Sequence, residues 1–348
     1  MKLLFRTEAN VAIGTGHVMR CLALAQAWRD AGGHPVFAMV EATPAVEERL
    51  RSEHVEVVRL TVPVGDSGDA EEVVRLANNH GASWVAVDGY EFGADYQAGL
   101  KRLGMKVLFI DDSGHAGHYS ADIVLNQNSH ADESLYSDRE TSTQLLLGSR
   151  YVLLRREFAR WREWKRDIPP VGRRVLVTMG GSDPDNLSLF AIEALMQARV
   201  EGLEIRVVVG GSNPHVKELQ AQEAHYGEFL ELLREPSNMP ELMAWADIAF
   251  IAAGGTLWEL LFMGCSVLSY ARNPVQAKII SQLDDEGIVR GLEYPQTSIQ
   301  ARTADAVLEL ANSQECRARF CQLGRERIDG RGATRVLGFL GSGGGRQL

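Results

Sequence analysis

Cysteine is scarce: Cys21, Cys265, Cys316 and Cys321 are the only four in 348 residues. So few and so scattered, they give no disulfide framework and read as free thiols of a reducing compartment. Long apolar runs are missing as well. The most apolar stretch, 248–267, is interrupted by Gly254-Gly255 and Glu259, which argues against a membrane-spanning helix. Positive charge is in deficit, with 36 Lys and Arg against 46 Asp and Glu, and the formal net charge of −10 excludes a nucleic-acid surface. It does not exclude one small phosphorylated ligand held by backbone amides. Met1-Lys2 runs straight into an apolar strand, without the basic segment, apolar core and cleavage site of a leader. A cytoplasmic protein with no membrane insertion is therefore expected. A G-x-S-x-G elbow, a P-loop lysine and any repeat of short period are also absent.

What is present is a packed core in the making. Hydrophobic residues make up 45% and charged residues 24%, the proportions of a globular chain, and the length suits two domains. Short apolar runs alternate with helical patterns throughout, which is the signature of parallel sheets with crossover helices, an α/β fold. In the first half, strands are expected at 3–6, 35–40, 56–60, 84–87, 106–110, 123–125 and 144–147, with helices at 18–31, 43–53, 70–80 and 95–103. From Arg155 to Arg174 the chain turns charged, aromatic and proline-containing, and Pro169-Pro170 cannot continue a helix. The stretch reads as a solvated helix running into a linker. A second alternating series follows, with strands at 175–179, 204–209, 229–232, 248–251 and 266–270. The expected organisation is an N-terminal domain over 1–160, a linker over 161–172, a second domain over 173–325, a last helix over 326–340 and a disordered tail over 341–348. Two such halves place the ligand by default in a cleft between them.

Three turns of strand, glycine and helix stand out. The first is Ile13-Gly14-Thr15-Gly16-His17. Gly14 and Gly16 give the G-x-G of a dinucleotide fingerprint, and Glu41 ends the second strand. However, Met19 occupies the third glycine position and the first strand ends well before Gly14, so NAD binding is disfavoured. His17 at a helix N-terminus is expected to stay neutral and serve as a general base, against the simpler reading of a helix cap. Glu8 on the same loop is expected to orient its ring. The second turn is Gly180-Gly181-Ser182-Asp183-Pro184-Asp185-Asn186. Asp183-Pro184-Asp185 spells the D-x-D of metal-dependent sugar transferases, but helix capping accounts for both acids, so no metal is expected. Gly181 and Ser182 are expected to line the cleft. The third is Gly254-Gly255-Thr256 with Glu259 one turn further on: backbone N–H groups to cradle a diphosphate, and a carboxylate for ribose hydroxyls. Lesser candidates are Asp88-Gly89-Tyr90, Asp111-Asp112 and Asn126-Gln127-Asn128, each after a strand, with Tyr90 placed to stack on a base or sugar. His115 and His118 lack an evident third ligand and are taken as loop residues.

The run Phe5-Arg6-Thr7-Glu8…Ile13-Gly14-Thr15-Gly16-His17-Val18-Met19-Arg20-Cys21-Leu22 resembles the pseudaminic-acid-pathway UDP-sugar hydrolases and the related spore-coat polysaccharide proteins. Gly148 to Arg155, Met179 to Asn186, Gly254-Gly255-Thr256…Glu259 and Asp329-Gly330-Arg331-Gly332-Ala333 match in order along the chain. The resemblance implies a GT-B-type fold of two Rossmann-like parallel-sheet domains facing a cleft. It implies hydrolysis of UDP-2,4-diacetamido-2,4,6-trideoxy-β-L-altropyranose to UDP and free sugar. His17 would be the base for water, with no metal required; separately, no cofactor and a monomer are expected. UDP would sit at Gly254, Gly255, Thr256 and Glu259; Arg20, Arg155, Asn186 and Gln276 fall in matching segments. The chain departs from the family in carrying Glu8 where aspartate is usual, and Gly89 beside Tyr90 where histidine is common. A GT-B glycosyltransferase of the spore-coat type, using a UDP-sugar donor, is the alternative.

Overall fold

The computed structural model describes residues 1–10, 13–292 and 299–341. Contacts divide the chain into two units, Met1–Arg156 together with the segment from Gly330 onward, and Glu157–Asp329. The first carries seven parallel strands: β1 (Lys2–Thr7), β2 (His34–Met39), β3 (Glu56–Arg59), β4 (Ala82–Asp88), β5 (Lys106–Ile110), β6 (Ile123–Asn126) and β7 (Gln144–Leu147). Their order is β3-β2-β1-β4-β5-β6-β7. Helices α1 (Gly16–Asp30), α2 (Pro44–Ser52), α3 (Ser67–His80) and α4 (Ala94–Arg102) connect them. Because both faces are covered, β1 is apolar throughout its centre. Leu3 and Phe5 join Leu22, Ala25 and Trp28 of α1 in one core layer. Leu4 joins Val73, Ala77 and Leu100 in the other. Each fully buried side chain of this size contributes about 1.5–3 kcal/mol.

The last helix, α12 (Gly332–Gly341), belongs to this first unit and adds Val336 and Leu340 to the α1 layer. Its entry is tight: a Cβ on Gly332 would lie 2.1 Å from the carbonyl oxygen of Val152, so only glycine fits. Of the tail expected over 341–348, Gly341 closes α12 and the remainder lies outside the described residues.

The second unit has six parallel strands in the order β10-β9-β8-β11-β12-β13. They are β8 (Arg174–Thr178), β9 (Glu204–Val209), β10 (Leu230–Arg234), β11 (Ile248–Ala252), β12 (Ser266–Tyr270) and β13 (Arg290–Gly291). Around them lie α5 (Leu187–Gln197), α6 (Val216–Tyr226), α7 (Met239–Trp245), α8 (Gly255–Phe262), α9 (Pro274–Asp285), α10 (Ile299–Asn312) and α11 (Gln314–Arg327). In each sheet the chain reverses its direction of travel once, between β1 and β4 and between β8 and β11. Ligands of open α/β sheets bind outside the carboxyl ends of strands at such points.

The stretch from Arg155 to Arg174 corrects the expectation of a solvated helix. Arg156–Trp161 is a 3₁₀ turn, and 162–173 is irregular up to the start of β8. Arg166 is half-buried, and its guanidinium donates to the carbonyl oxygens of Met243, at 2.6 Å, Met263, at 3.1 Å, and Ala246. Three backbone carbonyls therefore pin this segment to the second unit.

Candidate active site

The loop between β1 and α1 is anchored at its start. Glu8 is buried and accepts hydrogen bonds from the backbone N–H of Val40, at 2.8 Å, and of Glu41, at 2.6 Å, as well as from Arg6. Arg6 in turn holds Asp69 of α3 through Nη2, at 2.8 Å. Glu8 therefore ties β1 to the end of β2; it does not orient His17, as its nearness in sequence suggested. Asn10 continues the anchoring, accepting from Ile13 N at 2.8 Å and donating to Glu41 at 2.7 Å. Gly14, in the left-handed region at φ +80°, lets the chain turn into exposed Gly16 and α1.

The ring of His17 is held by Asp88. Thr7 and Asp88 are register partners at the carboxyl ends of β1 and β4. This puts the first turn of α1 over the point where strand order reverses. His17 Nδ1 lies 2.6 Å from Asp88 Oδ1. Arg20 Nη2 also lies 3.1 Å from Nδ1; with Nδ1 donating its hydrogen to the Asp88 carboxylate, Nε2 is the acceptor in the neutral tautomer. Among the described residues Nε2 makes no hydrogen bond. Arg20, one turn further along α1, donates to Asp88 through Nε and Nη2, both at 2.6 Å, and through Nη1 to Asp112 at 2.7 Å. Burial alone would raise the Asp88 carboxyl, but Arg20 and His17 outweigh it and hold the group well below the usual carboxylate range. Asp112 is likewise lowered: burial opposes ionisation and Arg20 prevails. Asn128, after β6, donates to Asp112 Oδ1 at 2.7 Å, and Tyr90 donates to Asp112 Oδ2 at 3.3 Å. The Tyr90 ring is 57% exposed and stands edge-on to His17 with centroids 5.1 Å apart.

The structure thus brings together His17, Arg20 and Tyr90, three of the residues expected from the sequence, and pairs His17 with Asp88 in place of Glu8. Asp88 and Asp112 follow strands, and that position was the available signal. Arg155 lies half-buried after β7. Its neighbours there are tied down by Gln127, whose side chain accepts from Leu153 N, and by Gln26 of α1, whose side chain accepts from Arg156 N.

The remaining candidates lie in the second unit. Gly181 packs against Gly210 at the mouth of β9, where a Cβ on Gly210 would come within 2.2 Å of Gly181 O. Asp183, buried and at φ +40°, accepts from the backbone N–H of Leu187, at 2.8 Å, and Ser188, at 3.0 Å. Its two oxygens cap α5, and Ser182 is half-buried beside it. Asn186 donates to Glu218 at 2.8 Å. Gly254 and Gly255 are exposed at the start of α8, with nothing within 4 Å of where a Cβ would stand. Leu257 N donates to Gly254 O at 3.0 Å, which leaves the N–H groups of the first two helical positions, Gly255 and Thr256, without an intrahelical acceptor and suited to an anion. Thr256 and Glu259 are half-buried on the same helix. Gln276 builds the neighbouring turn, its Oε1 accepting from Arg272 N at 2.8 Å. Among the described residues no group of three or more His, Cys, Asp or Glu is arranged to hold a metal ion, and no helix is long and apolar enough to cross a membrane.

No known family profile matches the chain. It is 26% identical over 282 residues to an uncharacterized protein of Methanocaldococcus jannaschii, a match covering 79% of this chain and 57% of that one. Against the UDP-2,4-diacetamido-2,4,6-trideoxy-β-L-altropyranose hydrolase of Campylobacter jejuni it is 27% identical over 281 residues, 78% of this chain and 93% of the hydrolase. Against the spore coat polysaccharide biosynthesis protein SpsG of Bacillus subtilis it is 26% identical over 246 residues, 67% and 68% of the two chains. Among solved structures, Acinetobacter baumannii MurG superposes with a TM-score of 0.64 at 16% identity, covering 98% of this chain and 100% of MurG. Anabaena HepE in complex with UDP and glucose gives 0.63 at 16% identity, covering 99% and 100%. These likenesses show the fold, the two Rossmann-like domains of GT-B glycosyltransferases.

Proposed function

We propose that this chain hydrolyses a UDP-linked sugar of the 2,4-diacetamido-2,4,6-trideoxyhexose class, with His17 as general base. One observation carries the reading: the His17 ring is fixed through Nδ1 by Asp88, and among the described residues its Nε2 makes no hydrogen bond. Similarity to the Campylobacter hydrolase supplies the substrate class. Water gives its proton to Nε2 as its oxygen bonds to the anomeric carbon. The bond from that carbon to the UDP oxygen breaks, and its electron pair leaves with UDP. Asp88 stabilises the imidazolium as it forms, and Arg20 keeps Asp88 ionised. UDP needs no proton to depart, because the charge it carries away is spread over its phosphate oxygens.

The test is incubation with UDP-sugar in the absence of any acceptor. Stoichiometric release of free sugar, lowered by about 10²–10⁴-fold in His17→Ala, is expected. No turnover until an acceptor is supplied would replace hydrolysis with transfer.

A further inference from the structure

Two carboxylates flank His17, and their surroundings divide the work between them. Asp88 is fully buried and saturated. His17 and Arg20 reach Oδ1 at 2.6 Å each, Arg20 reaches Oδ2 at 2.6 Å, and the Cys21 thiol approaches Oδ2 at 3.5 Å. Asp112 keeps 15% of its side chain exposed. Its Oδ1 is shared by Arg20 and Asn128, both at 2.7 Å. Its Oδ2 is touched by the Tyr90 hydroxyl at 3.3 Å, longer than either contact to Oδ1 and made by an exposed residue. A carboxylate oxygen whose one side-chain contact is this long remains open to O–H and N–H donors.

We infer that Asp112 Oδ2 is the acceptor for a hydroxyl or amide N–H of the sugar, and that it displaces the Tyr90 hydroxyl in binding it. Asp112 is thus a specificity residue. The inference rests on the reading that a sugar is bound at His17, and it adds which chemical groups of that sugar are selected. A carboxylate that must hydrogen-bond a buried donor rejects an analogue lacking it far more strongly than an apolar pocket rejects a change of size.

Asp112→Asn makes the test directional. Arg20 and Asn128 both donate to the Oδ1 position, so the new amide must place its oxygen there and its NH₂ where Oδ2 stood. The acceptor facing the sugar becomes a donor while the shape is kept. Titration calorimetry in a His17→Ala background, which prevents turnover, compares UDP with UDP-2,4-diacetamido-2,4,6-trideoxy-β-L-altropyranose. UDP affinity is expected to be unchanged by the Asn substitution, and UDP-sugar affinity to fall about ten- to hundredfold. An unchanged ratio of the two affinities would overturn the inference. A second arm keeps Asp112: the 3-deoxy and the two N-methyl analogues of the sugar are titrated into the protein with Asp112 intact. At least one is expected to bind about ten- to hundredfold more weakly than the parent, a loss absent in Asp112→Asn. Equal binding of all three analogues and the parent sinks the inference even where Asp112→Asn fails to fold. Turnover by the wild-type enzyme reads the hydrolase proposal separately, because calorimetry needs no chemistry.

Discussion

At the scale of single residues, the candidate site turns on which acid holds His17. His17 was legible in the sequence because a strand, a glycine loop and a helix start leave few other places for a reactive side chain. Its partner was not, because the contact of β1 with β4 crosses 71 positions of sequence between His17 and Asp88. Glu8 lies nearer along the chain, yet it is consumed by the backbone of Val40 and Glu41. Asp88→Asn tests the assignment. An amide that accepts from His17 Nδ1 must turn its NH₂ toward Arg20, setting donor against donor, and the imidazolium loses its counter-charge. A fall of about 10²–10⁴-fold in kcat with unchanged UDP affinity is expected. Combined with His17→Ala the two losses should not add, since both act on one proton transfer. Additive losses would separate Asp88 from the base.

At the scale of elements, the period of the apolar residues was enough to place the strands and helices to within a few positions. In a parallel sheet covered on both faces each strand is a short, nearly continuous apolar run. The segment from Arg155 to Arg174 was misread for a definable reason. A pattern of arginines does not tell whether the cations reach water or carbonyl oxygens, and Arg166 reaches three of the latter. The two-residue β13 carries too little pattern to be seen at all. Helix α12 offers a paired experiment. Gly332→Ala forces a Cβ to within 2.1 Å of Val152 O and should cost about 1–3 kcal/mol by chemical denaturation. Gly338→Ala, on the same helix with open space at its Cβ position, should instead stabilise by about 0.5–1 kcal/mol. Equal effects of the two changes would show that the helix does not dock as described.

At the scale of the whole molecule, buried ion pairs set the response to pH. Asp88, Asp111 and Asp112 are held below the ordinary aspartate value of 3.8. Each adds stability that is present above about pH 4 and is lost as pH falls through its folded value. His115 runs the other way. Burial lowers it, but Asp111, 3.3 Å from its Nδ1, raises it above 6.5. Its contribution is complete below pH 6.5 and is lost as pH rises through the folded value. Urea midpoints measured across pH should therefore be highest between about pH 4 and 6.5, and His115→Gln should flatten the alkaline side alone. An unchanged alkaline limb would remove His115 from this account.

The return of α12 to the first unit has a consequence for synthesis. The second unit is one continuous span, 157–329, whereas the first is assembled from both sides of it. A ribosome delivers the second unit whole before it delivers Val336 and Leu340, which close the α1 layer of the first. Until then that layer lacks the side chains α12 contributes, so the domain translated first is the one completed last.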